Sequence, residues 1–537
     1  MNRESLKPAS ALAVVLLVTL ALAITSRAIR RLETKPDAKP VSVPQPSTTA
    51  ESERAVAKLH SPSALATLID QTIDESEFQT ARWGVFVISA RDGRIVYARN
   101  GDKLFTPASN MKVYTTAVAL DVLGTNYSWR TSVYADSQPA ANGQVSGNLT
   151  LYGRGAPDLT SRSKKGEAAS LTRLADDLYA RGLRHVQGNM IGDESYFRAD
   201  PLGDGWQWND VQWYFGAEPS ALTIDDNEVE VGIEPAAKAN EPPVVKLNTA
   251  QDYIHLTSDI ASVKRGEQIR IGIHRGLSDN ELRVWGEFPE GGRGFGARLS
   301  VHNPALWAAR LFVAALKARG ITVDGEARAR DFRVPETERF DPTHAVELAS
   351  LISQPLGEIV KATNKESINL NAELILRTLG RERGDTAADP DPHRTYERSD
   401  DAAGVTVIRQ WLNRAGISTA GLALHDGSGL SRLDLVTPES MVRLLSAILQ
   451  RPSGRVFQES LPIAGVDGTL KGRLRQYKDK LFAKTGSLSY DNTLSGFVTT
   501  EDGEPLVFSI MCNDQTGRAG ATNAIDKIVS ILANSRR

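Results

Sequence analysis

The chain has 537 residues, apolar and charged fractions of 41% and 24%, and a formal net charge of −2. That length suggests about three domains, and the near-neutral balance excludes the basic footprint of a nucleic-acid binder. Its single cysteine, Cys512, excludes an intrachain disulfide framework. With no Walker A loop, no HExxH and no paired cysteines for zinc, neither metal nor cofactor is expected.

In chain order, Arg3 and Lys7 precede an apolar run over residues 9–24, interrupted by Ser10 and Thr19. At helical rise that run spans roughly 24 Å, short of a bilayer core of roughly 30 Å. Residues 1–26 therefore read as a signal peptide, with Ala21-Leu22-Ala23 as a small-x-small cleavage site, or as a short uncleaved membrane anchor. Either way the chain is directed into or across a membrane. Residues 27–56 are rich in Pro, Ser, Thr and Ala, a composition that builds no core, and read as a disordered linker.

Folded sequence starts near residue 57. Residues 83–89 and 94–98 are strand-like and joined by Ala90-Arg91-Asp92-Gly93, a hairpin turn signal. Next comes Ser109-Asn110-Met111-Lys112 at the head of an apolar stretch over 113–123. Pro107 and Gly124 punctuate that stretch as a helix. Positions i and i+3 share a helix face, so the Ser109 hydroxyl and the Lys112 ammonium sit side by side. Burial makes a lysine easier to deprotonate, and a neutral amine beside a serine is a general base for it. Alone, the tetrad also describes a helix cap with a snorkelling lysine. Ser161-Arg162-Ser163-Lys164 has the same pattern in a polar run and reads as a solvated loop.

Across residues 129–339 short β-type runs (145–152, 229–233, 244–247, 269–273, 282–287) alternate with turns, interrupted by helical patterns over 168–182 and 303–320. This block reads as an inserted β-rich unit. Helices return over 356–361, 367–379, 402–415, 438–450 and 521–533, with strands over 481–484, 493–500 and 506–512. The expected architecture is an α/β (α+β) domain built from residues 57–128 and 340–537. Cys512, in the last apolar strand, reads as a small buried hydrophobe.

Two further motifs follow the tetrad: Ser367-Ile368-Asn369, where a loop enters a helix, and Lys484-Thr485-Gly486 on a strand. Ser146-Gly147-Asn148 and Ser278-Asp279-Asn280 share the Ser-x-Asn pattern but lie among strand-like runs, and both read as turns. In the order Ser-x-x-Lys, Ser-x-Asn, Lys-Thr-Gly, the three resemble the signature of penicillin-binding proteins and class A β-lactamases. The chemistry is coherent, because acyl transfer to a serine needs a base, a proton path to the leaving amine and an oxyanion hole. Ser109 is the expected nucleophile, Lys112 its base, Ser367 a proton relay and Asn369 a holder of the substrate amide. Lys484 and Thr485 are expected to bind a terminal carboxylate, and Gly486 to permit close backbone approach. The backbone N–H groups of Ser109 and Ser487 are the expected oxyanion donors. Lys484 near Lys112 is expected to lower the Lys112 pKa by repulsion.

The resemblance extends beyond the motifs. Residues 106–124, Gly188-Asn189-Met190-Ile191-Gly192-Asp193-Glu194-Ser195-Tyr196-Phe197 and the aromatic run 205–214 resemble the peptidase S13 family of D-alanyl-D-alanine carboxypeptidases/endopeptidases, the class C low-molecular-mass penicillin-binding proteins. So do 217–227, Asn364-Lys365-Glu366 with Ala372-Glu373, Asp426-Gly427-Ser428-Gly429-Leu430-Ser431, the stretch 461–470, and Lys484-Thr485-Gly486-Ser487. The resemblance implies a serine β-lactamase/transpeptidase-like domain interrupted by a large insert, and Ser109 and Ser367 stand 258 positions apart. It also implies cleavage of peptidoglycan stem peptides, acylation by β-lactam antibiotics and a place in the periplasm or cell envelope. Two positions depart from the family: Ile368, often Asp there, and Gly155-Ala156-Pro157-Asp158, where Gly-Asp-Pro is usual. A non-catalytic penicillin-binding sensor or scaffold would tolerate loss of Ser109, Lys112, Ser367 and Lys484. A β-lactamase of this fold has no need of the insert, and an esterase has no need of a carboxylate-binding Lys-Thr-Gly.

Overall fold

The computed structural model describes residues 64–163, 167–236, 241–249, 253–385, 399–517 and 520–536. The expected targeting segment and linker, and Lys164 of the second Ser-x-x-Lys, lie outside the described residues. Among the described residues no helix is long and apolar enough to cross a membrane.

Strand Arg82–Ser89 is buried at every position after Arg82, the pattern of a strand covered on both faces. It pairs antiparallel with Pro505–Asn513 on one side and Ile95–Arg99 on the other. Asp491–Thr499 and Leu481–Leu488 extend the sheet beyond Pro505–Asn513, so Leu481–Leu488 forms one edge. Both ends of the folded chain thus meet in one five-stranded sheet. Helices Ala64–Asp74 and Thr522–Ala533 bury Ile69, Ile73, Ile525 and Ile528 in a cluster with Trp83, Val85 and Phe508. Phe86, Met111 and Met441 belong to a second cluster, which takes in helices Met111–Val122 and Pro438–Leu449. Each such side chain contributes about 1.5–3 kcal/mol when fully buried, which is why segments about 400 residues apart in sequence stay together.

Helix Met111–Val122 is buried continuously from Met111 to Leu120. A helix apolar all round belongs inside a domain, and this one touches helices Leu356–Glu366, Asn369–Arg383 and Pro438–Leu449. Its Lys112 therefore has no route to snorkel.

The central block is less purely β than its sequence texture suggests. Leu149–Tyr152, Met190–Asp193 and Ala327–Arg330 run parallel to one another, and parallel neighbours need long crossovers. Helices Ser170–Ala180 and Pro304–Ala318 lie in those crossovers. Arg130–Ala135 and Val346–Ile352 complete that sheet antiparallel. Val346–Ile352 thus sits with the strands of the block, although it falls after residue 339. Two three-stranded sheets follow: Phe295–Ser300 with Glu228–Glu234 and Val244–Leu247, and His255–Val263 with Glu281–Pro289 and Arg270–Arg275.

The expected single strand over 145–152 is two, Gln144–Val145 and Leu149–Tyr152. Ser146-Gly147-Asn148 turns between them, its Asn148 N–H bonded to Asp136 at 2.8 Å. Ser278-Asp279-Asn280 lies in the connection between the antiparallel strands Arg270–Arg275 and Glu281–Pro289. Ser161 donates its hydroxyl to Asp225. Cys512 is fully buried, and burial pushes its thiol up to about 12.

Candidate active site

Ser109 lies in a 3-10 turn, Ala108–Asn110, that runs into helix Met111–Val122. Ala108 has φ 48°, a left-handed conformation that costs an L-residue about 1–2 kcal/mol. Two contacts hold the turn. Asn110 Nδ2 donates to Thr493 Oγ1, and that hydroxyl donates to the Pro107 carbonyl at 2.8 Å. On the other side Gly429 packs on Ala108 so closely that a Cβ would lie 1.8 Å from the Ala108 carbonyl oxygen.

Lys112 is fully buried, with Nζ 3.1 Å from Ser109 Oγ. Nζ also donates to Asn369 Oδ1 at 2.6 Å and to the Ser428 carbonyl at 2.8 Å. Burial pulls the ammonium down to about 7, against the opposing pull of Asp426 and Glu373. At neutral pH a large share of the molecules thus carry a free amine beside Ser109.

Ser367 occupies the left-handed position (φ 59°) that ends helix Leu356–Glu366, and Asn369 starts the next helix, Asn369–Arg383. The sequence places a loop before this helix; the structure has the tail of another helix there. Ser367 Oγ accepts from Lys484 Nζ at 2.9 Å. Asn369 Nδ2 donates to the Phe215 carbonyl at 2.8 Å, which leaves one amide hydrogen for another partner. Behind the motif, Lys365 Nζ binds Asp467 at 2.6 Å and the Leu461 carbonyl at 3.0 Å.

Lys484, Thr485, Gly486 and Ser487 lie within strand Leu481–Leu488, which continues past the expected end at Lys484 because residues 485–488 pair with 491–494. Lys484 is fully buried. Burial, then the positive charge of Lys112, holds it well below the ordinary lysine value. The expected like-charge effect thus falls on Lys484, while the charged neighbours that act on Lys112 are two carboxylates. Thr485 Oγ1 donates to Thr469 Oγ1 at 2.8 Å. A Cβ on Gly486 would meet the Pro107 carbonyl at 2.7 Å. The close approach that this glycine permits is therefore to the turn carrying Ser109. Ser487 is exposed on the edge strand and accepts from Asn492 Nδ2 at 3.2 Å.

Hydrogen bonds thus link Ser109, Lys112 and Asn369 in one chain, and Ser367 and Lys484 in a second. Two groups were not legible as parts of the site. The loop 426–431 supplies the Ser428 carbonyl, Phe215 just past the aromatic run supplies its carbonyl, and Trp206 within the run gives an Nε1 bond to Asp426 at 3.0 Å. Backbone carbonyls leave no mark in a sequence. A cavity of about 740 Å³ lined by Tyr152, Arg333, Phe340 and Arg381 includes none of the motif residues, so the site is recognised by its hydrogen bonding.

The family described as "D-Ala-D-Ala carboxypeptidase 3 (S13)" matches residues 65–535. The D-alanyl-D-alanine carboxypeptidase of Actinomadura sp. (strain R39) is 34% identical over 464 residues, covering 84% of this chain and 81% of that protein. The crystal structure of penicillin binding protein 4 from Haemophilus influenzae matches with a TM-score of 0.72 at 26% identity, covering 87% of this chain and 97% of that one. Its complex with a β-lactam matches with a TM-score of 0.67 at 24% identity, covering 88% and 99%.

Proposed function

The chain belongs to the D-Ala-D-Ala carboxypeptidase 3 (S13) family, and from that premise we propose that it is a serine-type D-Ala-D-Ala carboxypeptidase/endopeptidase acting on peptidoglycan stem peptides and acylated by penicillins. Its fold is the serine β-lactamase/transpeptidase-like one with a large insert. The observation that carries the reading is the fully buried Lys112 amine, 3.1 Å from Ser109 Oγ.

In the proposed reaction the Lys112 amine takes the Ser109 proton as Oγ attacks the carbonyl carbon of the D-alanyl residue. The N–H groups of Ser109 and Ser487 hold the oxyanion. The C–N bond then breaks as the leaving amine takes, through Ser367, the proton that Lys112 removed, leaving an ester on Ser109. Water attacks the ester carbonyl and gives a proton to Lys112, which passes it to Ser109 Oγ as the C–Oγ bond breaks, releasing a carboxylic acid and the free serine. The free Asn369 amide hydrogen orients the substrate carbonyl. Lys484 and Thr485 hold the terminal carboxylate, which supplies the countercharge that a buried Lys484 lacks. The apolar amino-terminal run supports export to the cell envelope or periplasm, with a membrane attachment if the run stays uncleaved.

The test uses a fluorescent penicillin on the protein lacking residues 1–53, beside Ser109→Ala, followed by D-alanine release from a pentapeptide. Covalent label on the wild type alone, with D-alanine released, is expected. An unlabelled wild type sinks the acyl-enzyme; label without any peptide cleavage favours the sensor; rapid penicillin turnover favours a β-lactamase.

A further inference from the structure

A neutral lysine amine has two hydrogens and one lone pair, so a general base must have its hydrogens occupied elsewhere if the lone pair is to face the nucleophile. At Lys112 two acceptors are closer than Ser109: Asn369 Oδ1 at 2.6 Å and the Ser428 carbonyl at 2.8 Å. Both trace to one helix. Asn369 begins helix Asn369–Arg383, and Glu373 lies one turn later on the same face. Glu373 is 1% exposed, and its Oε1 accepts from the Gly427 N–H at 3.0 Å and the Ser428 N–H at 2.8 Å. The residue whose carbonyl meets Lys112 thus has its N–H shared between Glu373 Oε1 and Asp426 Oδ1, at 2.8 and 3.1 Å, and the Gly429 N–H of the same peptide as that carbonyl goes to Asp426 at 2.6 Å. Thr115, on the helix of Lys112, binds the Gly427 carbonyl at 2.8 Å and closes the same loop from the other side.

We infer that Glu373 is a positioning residue for the base: together with Asp426 it holds the loop that puts the Ser428 carbonyl on Lys112, and it sets a carboxyl beside the amine. This rests on the acyl-enzyme reading above. Two further carboxyls and two further cations face Glu373 and Lys112. Asp426 accepts from the Ser428, Gly429 and Ser431 N–H groups and from Trp206. Asp434 accepts from the His425 and Asp426 N–H groups. Lys484 adjoins Lys112, and Arg377 lies one turn beyond Glu373. Burial, then Asp426, pushes the Glu373 carboxyl up, while burial pulls the Lys112 ammonium down, so the two groups compete for protons. Every Glu373 carboxylate formed favours the ammonium on Lys112 and delays the free amine to higher pH.

The sign of the test follows. A glutamine side chain keeps an oxygen for the two N–H donors and removes the charge, so Glu373→Gln lowers the pH at which the amine appears. Glu373→Ala removes the oxygen as well. The readout is the rate of labelling by fluorescent penicillin from pH 5 to 9, on the same soluble protein. Glu373→Gln is expected to label, with its half-rise at a lower pH than that of the wild type. Glu373→Ala is expected to label about tenfold or more slowly at every pH. A Glu373→Gln profile that superimposes on the wild type overturns the inference, and it decides alone if Glu373→Ala does not fold. An unlabelled wild type instead overturns the acyl-enzyme reading, and this inference falls with it.

Discussion

Replacing Gly429 by alanine puts a methyl group where the Ser109 turn and the Lys112 loop touch. The new Cβ would lie 1.8 Å from the Ala108 oxygen, 2.5 Å from its carbonyl carbon and 2.9 Å from Met111 Cβ. A Cβ essentially never lies within 3.0 Å of another heavy atom in this way, so the oxygen contact alone requires the loop and the turn to part by roughly 1 Å. Gly429 also has φ 79°, which adds about 1–2 kcal/mol of backbone strain for alanine. A misplacement of about 1 Å at a reacting pair costs about 100-fold in rate, and overpacking costs about 1–3 kcal/mol of stability. Gly416 separates the two effects: it has φ 73° and no atom within 4 Å of an added Cβ. Gly416→Ala thus carries the strain without the clash. Penicillin labelling rates and thermal unfolding of both variants are the assay. We expect Gly429→Ala to label about 100-fold more slowly and Gly416→Ala to label normally. Labelling of Gly429→Ala within about threefold of the wild type would refute the claim that this contact sets the Ser109–Lys112 geometry.

With Lys112 near 7, protonation removes the base, so the wild-type labelling rate should fall about tenfold per pH unit below that value. A labelling rate that does not change across pH 5–8 argues against Lys112 as the base. Lys112→Ala should abolish labelling while circular dichroism shows the fold intact; normal labelling removes Lys112 from the mechanism. Lys484→Ala should slow cleavage of carboxylate-bearing peptides far more than that of a neutral ester. Equal losses on the two would contradict its assignment to the carboxylate.

Much of the fold was legible because it rests on local patterns. The hairpin of residues 83–98 announced itself by strand-type runs around Asp92-Gly93, and the helix behind Ser109 by its apolar run between Pro107 and Gly124. Strands Arg130–Ala135 and His255–Val263 were missed: Arg130–Ala135 opens on three polar residues, Arg-Thr-Ser, and His255–Val263 is half exposed and polar, so neither carries a clear alternation. The parallel pairs of the central block escaped for another reason. Strand direction depends on where a crossover lands, and no residue records that.

The sequence by itself determined which side chains can do chemistry. Ser109 and Lys112 are neighbours by helix geometry alone, and the three motifs together with the stretches around them pointed to the family. Tertiary structure alone decided the state of those side chains. The lowered pKa of Lys112 follows from packing inside a buried helix, and the orientation of its amine from Asn369 and the Ser428 carbonyl, 257 and 316 positions away. Desolvation and long-range hydrogen bonds are sums over neighbours that folding brings together. They have no counterpart in a local pattern of residues, which is why the contacts of Glu373, Ser428 and Phe215 with the site came into view only once the chain was folded.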